Sequence, residues 1–537
     1  MMTKLSKEAL ETIYYQISPF EFKDHLLELA RENVNTTTIL DAGRGNPNWT
    51  ASVPREAFFT LGQFAVEETR YTWQENDLGG MVTKEGIAER LKAYLQTHFN
   101  APGVSLIEKI VAYGVDDMQF DADAWVYELT EGIIGCNYPF PDRCLTHIEK
   151  IILKYQMKIF GDKKQEMNSW DIFAVEGGTA AMCYLFNSFL ENHLLNKGDK
   201  IALMTPIFTP YLEIPHLPTY DFEVVHIRAT AKETEDIYEY TKEELDKLKD
   251  PSIKAVFIVN PNNPLSMSLD EVCKSYFIDL ITNYRQELLV VTDDVYGTFI
   301  KDFSSLVVEL PYNTVCVYSM SKYFGVTGWR LGTIMLHKEN IFDELVRNLP
   351  EDKKVETNRR YQHLSPQPEG VSFMDRIVAD SRQVALNHTA GLSTPQQVQM
   401  AMFCGFELVD QENNYQNSVI DICKRRKTRL FEGLNMPLID NPLDTCYYTE
   451  VNVLEFAKVY DPSLEAFIKE HYKPLDFFYK LAKEHGIILL RGDGFASSKW
   501  GMRVSLANLK DEDYYQIGQT IRSVMDEVVS YKESLGK

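Results

Sequence analysis

The stretch Val317–Gly332 reads VYSMSKYFGVTGWRLG and follows directly on the apolar residues Val315 and Cys316. An apolar run that ends in serines, glycines and charged residues is typical of a buried strand leading into a turn. The S-x-x-K spacing of Ser319 and Lys322 also occurs in serine acylases, but those enzymes need S-D-N and K-T-G elements, which this sequence lacks. The acylase interpretation is therefore excluded, and the role of this turn depends on the rest of the chain.

Short apolar runs alternate with amphipathic segments over residues ~150 to ~345, which indicates a parallel sheet covered by helices on both faces. Seven strands are predicted: DIFAV, KIALM, FEVVHI, KAVFIV, ELLVV, NTVCVY and GTIML. From about Gln396 onward, long helical patterns and the strands CYYTEVNV and MRVSLAN predict a smaller α+β domain. At the N terminus we predict one or two amphipathic helices over Ser6–Arg31 and a strand over Thr37–Leu40.

Composition narrows the possible partners and the compartment. Asp and Glu (78) exceed Lys and Arg (55), giving a net charge of -23 that opposes binding to nucleic acid and to anionic membranes. The first residues mix charges without an apolar core, and no apolar run approaches the ~18 residues of a membrane span. The 8 cysteines contain no C-x-x-C pair, so neither a metal site nor a disulfide framework is expected. We therefore expect a cytoplasmic protein with reduced thiols.

The residues that follow the predicted strands suit a ligand site, because ligands of such sheets bind beyond the carboxyl ends of the strands. Gly178 and Thr179 open a helix that could receive an anion, and Phe208 could cover a flat ring. Each also has a plain structural interpretation, as a tight turn or a core residue. The remaining candidates carry an amide, two carboxylates and a phenol: Asn263, Asp293, Asp294 and Tyr296. For Asn263 the alternative is a plain Asn-Pro turn, and for either aspartate it is a helix N-cap.

Lys322 gives this set its chemistry. A compact amine can form a Schiff base with a carbonyl compound, although a single lysine is more often a surface residue. Taken together and in order, the motifs resemble the fold-type I pyridoxal-phosphate enzymes, in particular the class I and II aminotransferases. The resemblance implies a large domain with a mostly parallel seven-stranded sheet and a smaller domain built from both terminal segments.

The resemblance also assigns roles to individual residues. It implies that Lys322 carries pyridoxal 5'-phosphate covalently, with Asp293 on the pyridine nitrogen and Arg503 on the substrate α-carboxylate. The phenolate oxygen would be bound by Asn263 and Tyr296, while Phe208 stacks on the ring. The phosphate would be held by the Gly178–Thr179 turn together with Ser319, Ser321, Arg330 and, from a second subunit, Tyr138. A homodimer with shared active sites follows from the assignment of Tyr138.

The chain departs from an ordinary aminotransferase by long insertions, and these resemble the aspartate 4-decarboxylases of the same superfamily. That resemblance rests on the N-terminal SPFEFKDHLLELA, on GRGNPNW (Gly43–Trp49) and on the length between Asn48 and Tyr138. It implies conversion of L-aspartate to L-alanine and CO2, and it makes Lys23, Arg44 and Gly45 candidates for substrate binding. Higher oligomers built from dimers are also implied.

The resulting domain boundaries are 1–50 for an N-terminal segment joining the small domain and 51–135 for a helical insertion. Residues 136–395 form the cofactor-binding domain, with an excursion over 345–390, and residues 396–537 form the small domain. An aminotransferase acting on dicarboxylic or aromatic amino acids is the nearest alternative function. A transcriptional regulator with an aminotransferase-like domain is disfavoured, since the residues before Gly43 show no helix-turn-helix pattern and no basic excess.

Overall fold

The N-terminal segment joins the C-terminal part of the chain in the computed structural model, which describes residues 15–32, 38–162, 166–232, 237–383 and 390–536. Helix α1 (Pro19–Glu32) buries Phe22 and Leu26 in a core formed with C-terminal side chains. Strand β1 (Leu40–Asp41) pairs in parallel with Ile487–Ile488. The predicted helix start at Ser6 and strand start at Thr37 lie outside the described residues, and β1 extends one residue beyond the predicted end.

The segment 51–135 contains four α-helices and one short hairpin among its described elements. Its buried side chains, including Trp125 and Leu129, share a core with Val398 and Phe403 from the later part of the chain. The assignment of this segment as a separate insertion stays a prediction. Its elements are α2 (Ser52–Thr72), β2 (Gln74–Glu75), β3 (Leu78–Gly79), α3 (Ile87–Thr97), α4 (Val104–Ala112) and α5 (Ala122–Ile134).

The next part of the chain forms a sheet of eight strands in the spatial order β4-β11-β10-β9-β8-β5-β6-β7. Its elements are α6 (Thr146–Ile159), β4 (Trp170–Val175), α7 (Gly178–Glu191), β5 (Lys200–Thr205), α8 (Pro210–Glu213), β6 (Glu223–Lys232), β7 (Ile237–Tyr240), α9 (Lys242–Leu245), β8 (Ile253–Val259), α10 (Glu271–Tyr284), β9 (Leu289–Asp293), α11 (Leu306–Glu309), β10 (Thr314–Ser319), β11 (Gly332–His337), α12 (Ile341–Arg347), α13 (Glu351–Tyr361) and α14 (Phe373–Asp380).

The predicted mostly parallel sheet is confirmed, and all seven predicted strands belong to it. The neighbouring pairs from β10 across to β6 are parallel, whereas β11 pairs antiparallel with both β10 and β4. The strand count is eight rather than seven because β7 pairs antiparallel with β6 at the edge. Strands β4, β9 and β10 are buried along their whole length, which explains why they read as continuous apolar runs.

The C-terminal part is α+β, as predicted, around a three-stranded sheet in the order β12-β15-β14. The elements are α15 (Thr394–Val409), α16 (Asn414–Leu434), β12 (Tyr448–Asn452), α17 (Val453–Tyr460), α18 (Leu464–His471), α19 (Pro474–His485), β13 (Ile487–Ile488), β14 (Leu490–Arg491), β15 (Gly501–Ser505) and α20 (Asp511–Leu535). None of the described helices combines the length and apolarity needed to cross a bilayer.

Candidate active site

A cleft of about 870 Å³, here called the lysine cleft, lies between the strand ends of the main sheet and the small sheet. Strands β9 and β10 end in it with Asp293 and Ser319, and the small sheet contributes Tyr448 and Arg503. Of the fifteen residues to which the resemblances assign a role, twelve line this cleft: Gly45, Gly178, Thr179, Phe208, Asn263, Asp293, Tyr296, Ser319, Ser321, Lys322, Arg330 and Arg503.

Lys322 is half-buried and lies just beyond the end of β10. Its Nζ donates a hydrogen bond to the carbonyl oxygen of Gly45 at 3.0 Å, and the hydroxyl of Tyr447 donates to the same oxygen at 2.8 Å. A side chain at position 45 would collide with its surroundings, because a Cβ there would lie 2.4 Å from the hydroxyl of Tyr448. Gly45 therefore brings backbone close to the amine where other residues would not fit.

Asp293 is a buried carboxyl at the end of β9. The hydroxyl of Tyr211 donates to its Oδ2 at 3.1 Å, and the backbone N–H of Val295 donates to its Oδ1 at 3.3 Å. Burial raises the pKa of Asp293 to about 6, against the lowering effect of these donors and of the positive charge on Lys322. Such a carboxyl is stabilised by a cationic group placed in the cleft.

Asp294 faces away from the site. It does not line the lysine cleft, and its carboxyl accepts hydrogen bonds from the hydroxyls of Thr292, at 2.5 Å, and Ser305. Burial raises the pKa of Asp294 to about 7. Neither aspartate accepts a capping hydrogen bond from a helix N terminus; both are buried side chains at a strand end.

An anion cradle forms where helix α7 begins. Gly177 has a φ of 87° and lies against Arg330, so a Cβ at position 177 would meet Arg330 Nη2 at 2.3 Å. The hydroxyl of Ser319 donates to that of Ser321 at 2.9 Å, and both line the cleft together with Gly178. Backbone N–H groups of the first helical turn, two hydroxyls and a guanidinium are a suitable donor set for a phosphate.

Arg503 is fully buried at the other side of the cleft. Its Nη1 donates to Asn263 Oδ1 at 3.1 Å and its Nη2 donates to the carbonyl of Gly43 at 2.9 Å, while Tyr448 packs its ring 4.2 Å from the guanidinium. Its Nε has no hydrogen-bond partner among the described residues. A buried donor without a partner is costly, and a carboxylate in the cleft would supply the missing acceptor.

The other three predicted residues do not line the lysine cleft. Lys23 Nζ pairs with Asp24 at 2.8 Å, and Arg44 Nε pairs with Asp41 at 3.1 Å. Tyr138 lies on the surface with 70% of its area exposed. The roles predicted for these three residues stay predictions.

Sequence reasoning missed two aromatic residues that shape the site. Tyr448 donates to or accepts from the hydroxyl of Tyr296 at 2.9 Å, and Tyr211 contacts Asp293 as described above. Tyr211 lies in the short helix α8, in the proline-bearing stretch that follows β5, so its position beyond a strand end was a usable signal. Tyr448 reaches the cleft only because the small sheet packs there, and no local pattern reports that packing.

These features fit pyridoxal phosphate as a bound group. The anion cradle suits its phosphate, the buried carboxyl of Asp293 suits its protonated ring nitrogen, and Lys322 suits its aldehyde. Asn263 and Tyr296 add polar groups to the lining of the cleft, and Phe208 adds an aromatic ring.

Comparisons with known proteins agree with this geometry. Residues 167–521 match the profile of the family described as aminotransferase class I and II. A bifunctional aspartate aminotransferase and L-aspartate beta-decarboxylase from Pseudomonas sp is 43% identical over 524 residues, covering 97% of this chain and 98% of that protein. An aspartate aminotransferase from Pyrococcus horikoshii is 23% identical over 236 residues, covering 43% of this chain and 56% of that protein.

Solved structures show the same fold. N-succinyldiaminopimelate aminotransferase from Mycobacterium tuberculosis superposes with a TM-score of 0.56 at 15% identity, covering 97% of this chain and 100% of that one. An aspartate aminotransferase from Thermus thermophilus with maleate gives a TM-score of 0.55 at 16% identity, covering 98% of this chain and 100% of that one. At such identities the likeness concerns the fold alone.

Proposed function

This chain belongs to the class I and II aminotransferase family, and from that premise we propose that it removes the β-carboxyl group of L-aspartate as CO2 and releases L-alanine. As a member of this family it is a pyridoxal-phosphate-dependent enzyme. The observation that carries the proposal is the lysine cleft, in which an amine, a buried acid, an anion cradle and an unsatisfied guanidinium converge. The reaction is supported by the relative named as a bifunctional aspartate aminotransferase and L-aspartate beta-decarboxylase, which is 43% identical over 97% of the chain.

The cofactor would be held at four points. The phosphate would bind the anion cradle at the start of α7, and Lys322 would hold the aldehyde carbon covalently. Asp293 would keep a proton on the ring nitrogen, while Asn263 and Tyr296 bind the phenolate oxygen. When bound, pyridoxal phosphate supplies an electron-withdrawing ring that accepts the electron pair released when a bond to the amino acid breaks.

Arg503 would bind the α-carboxylate of aspartate. Its Nε is available, and its Nη atoms are held in place by Asn263 and the Gly43 carbonyl, so the planar guanidinium is oriented before substrate arrives. Lys322 Nζ would take the proton from the substrate α carbon and later return it, and the β carbon would take up a further proton when its carboxylate leaves as CO2. The Gly45 carbonyl, now an acceptor for Nζ at 3.0 Å, orients that amine.

The β-carboxylate has to be held loosely for CO2 to leave. A hydrogen bond to a charged group is worth about 1.5–3 kcal/mol, so a firm clamp on the β-carboxylate would slow decarboxylation by about 10- to 150-fold. Among the described residues lining the lysine cleft, the cationic ones are Lys322, Arg330 and Arg503. Each already has another role in the proposal, which leaves this chain without a dedicated clamp among those lining residues.

Lys23 and Arg44 are our candidates for a transient contact with the β-carboxylate. The Lys23 stem packs against Gly43, and Arg44 lies between two residues whose carbonyls face Arg503 and Lys322. The Arg44 side chain is 58% exposed, and the Asp24 partner of Lys23 is 66% exposed. The other member of each pair is largely buried, since the side chains of Lys23 and Asp41 are 12% and 16% exposed. An ion pair open to water contributes about 0–1 kcal/mol, so the exposed Arg44 can exchange its partner for substrate more readily than Lys23.

Incubation of the holoenzyme with L-aspartate as the sole amino acid tests the reaction. A decarboxylase releases alanine and CO2 over many turnovers without any keto acid. The alternative function, transamination of aspartate or another dicarboxylic or aromatic amino acid, is favoured by the aminotransferase relatives and would stop after one half-reaction. Formation of one mole of oxaloacetate per mole of enzyme active sites, without release of CO2 by the enzyme, would overturn the decarboxylase proposal. Loss of a small fraction of turnovers to transamination is expected, because the same proton transfers at Lys322 serve both reactions.

We also propose a cytoplasmic homodimer with shared sites, further assembled into a larger oligomer. Tyr138 is exposed and outside its own cleft, which suits a residue that reaches the cofactor phosphate of a second subunit. Exposed aromatic side chains on the 51–135 segment, Phe59, Tyr71 and Trp73, suit the contacts between dimers. All 8 cysteines are unpaired, as expected in a reducing compartment. Sedimentation of the holoenzyme tests the assembly, and an active monomer would contradict it.

A further inference from the structure

A second carboxyl group faces the substrate-binding arginine from the neighbouring strand. Strands β12 and β15 are antiparallel, and Glu450 lies directly opposite Arg503. Side chains at directly opposite positions share one face of the sheet, with Cβ atoms about 5 Å apart. The residues that alternate with them, such as Val451 and Met502, pack into the core of the small domain. Glu450 therefore lies beside Arg503 on the face that meets the large domain.

The fold makes room for this carboxyl with two glycines. A Cβ at Gly492 would lie 2.6 Å from Glu450 Oε2, and a Cβ at Gly501 would lie 2.4 Å from Glu450 Oε1. The hydroxyl of Ser497 donates to Oε1 at 2.8 Å. Glu450 Oε2 is buried and has no hydrogen-bond partner among the residues that the structure describes. The group is thus enclosed but only half satisfied, which is unusual for a buried carboxyl.

Of the charged groups that act on Glu450, two are anions and Arg503 is the cation. Asp493, from the turn after β14, and Glu455, from α17, repel a negative charge on Glu450, whereas Arg503 attracts one. Glu450 also lines a second cavity, separate from the lysine cleft, together with Lys427 and Asp444. Lys427 and Asp444 form an ion pair with each other at 2.5 Å. Burial raises the pKa of Glu450 to about 7, so its charge state changes within the physiological range. Among the described residues, the hydrogen-bond acceptors on the Arg503 Nη atoms are the neutral side chain of Asn263 and the carbonyl of Gly43.

We propose that Glu450 is a positioning residue that serves as the internal counter-charge of Arg503 in the free enzyme and takes up a proton when a carboxylate ligand binds Arg503. The inference rests on the proposed function, because it requires Arg503 to hold the α-carboxylate. Two anions next to one buried cation favour the neutral form of the more deeply enclosed acid. The ligand carboxylate, which is ionised throughout, leaves Glu450 as the group that accepts the proton.

The sign of the pH dependence follows. Below the pKa of about 7, Glu450 is already protonated and adds no repulsion to ligand binding. Above it, a ligand carboxylate binds only with uptake of a proton, so the Kd rises with pH, by at most about tenfold per pH unit for one proton. Substrate affinity therefore weakens on the alkaline side through a residue that does not line the lysine cleft.

Calorimetric titration of the holoenzyme with maleate tests the inference, because maleate carries two carboxylates and no amine that could enter the reaction. Titrations in two buffers of different ionisation enthalpy give the number of protons taken up. The visible absorbance of the lysine-bound cofactor is recorded in parallel, so that protons bound at Lys322 are counted separately. After the protons bound at Lys322 are subtracted, we expect the wild type to take up a substantial fraction of one proton on maleate binding between about pH 7 and about pH 8.5. Over the same range the Kd for maleate should rise with pH.

Glu450→Gln should abolish this remaining uptake and flatten the Kd over the same range, since the amide fits the same glycine-lined space without titrating. Glu455→Gln is the matched control: it removes a nearby but exposed carboxylate and should keep the uptake. Ser497→Ala, which removes the donor to Oε1, should move the rise in Kd to higher pH. An uptake unchanged in Glu450→Gln, or absent in the wild type, would overturn the inference alone. Maleate affinity that is indifferent to Arg503→Ala would overturn the carboxylate site itself, and the inference with it.

Discussion

Replacing Asp293 by asparagine should abolish most of the turnover and at the same time stabilise the cofactor-free protein. The reason is that the carboxyl is buried in the lining of the lysine cleft and accepts hydrogen bonds from Tyr211 and Val295, while no cationic side chain of the described residues forms an ion pair with it. Its negative charge would be stabilised by a protonated ring nitrogen, and without that nitrogen the buried charge destabilises the folded protein. The two effects of one substitution therefore have opposite signs.

The magnitudes follow from the pKa. Burial raises the pKa of Asp293 from 3.8 to about 6, which corresponds to about 3 kcal/mol of lost stability once both states are ionised. The unfolded chain ionises first, so the penalty grows as pH rises from about 4 to about 6 and is constant above that. Asparagine avoids the penalty but satisfies the two donors less well, so we expect a gain of about 1–3 kcal/mol. In the holoenzyme, breaking a buried pair costs about 3–5 kcal/mol, or about 10²- to 10⁴-fold in kcat.

Denaturant unfolding of the cofactor-free protein near pH 8 and CO2 release from aspartate by the holoenzyme measure the two effects. Asp294→Asn is the matched control, because Asp294 is also a buried carboxyl, one residue away, and does not line the cleft. It should also stabilise the cofactor-free protein, with kcat within a few-fold of the wild type. An Asp293→Asn enzyme that keeps kcat within tenfold, or an Asp294→Asn enzyme that loses as much as Asp293→Asn, would refute the reasoning.

Three further substitutions probe the geometry of the cleft. Gly45→Ala places a Cβ 2.4 Å from the Tyr448 hydroxyl and 3.3 Å from Lys322 Nζ, so kcat/KM for aspartate should fall about tenfold or more; unchanged kinetics would show that this close approach is irrelevant. Arg503→Lys keeps the positive charge but loses the planar guanidinium, so the KM for aspartate in steady-state kinetics should rise about 10- to 150-fold. An unchanged KM would show that another group binds the α-carboxylate. Tyr211→Phe removes a donor that favours the ionised acid at the strand end, so the acid limb of the pH–kcat profile should shift to higher pH; a shift to lower pH would contradict the assignment.

The main sheet was predictable because most of its strands are covered on both faces. The buried strands contain apolar runs, and residues at or just beyond their carboxyl ends, such as Asp293 and Asn263, reach the cleft because parallel strands end at one edge. Strand β7, IYEY, escaped prediction because an edge strand with partly exposed polar side chains has no continuous apolar run. The pairing of β1 with residues far along the chain has no local signal either.

The site was less predictable where it depends on how distant segments meet. Tyr448 and Glu450 lie near the site because the small sheet packs against the large domain, whereas their own stretch of sequence predicts only a strand. Lys23 and Arg44 show the opposite case, since both belong to stretches that suggested substrate binding, yet their side chains form ion pairs outside the lysine cleft. Sequence pattern identified the elements that surround the cleft, and packing decided which side chains enter it.

The most direct measurement is chemical: borohydride reduction of the holoenzyme, proteolysis and mass spectrometry of the modified peptide. The covalent attachment of the cofactor to the amine that contacts the Gly45 carbonyl predicts a pyridoxyl phosphate label on Lys322, and loss of both the label and the visible absorbance in Lys322→Ala. A label on a different lysine, or a Lys322→Ala protein that retains the visible absorbance, would contradict the account.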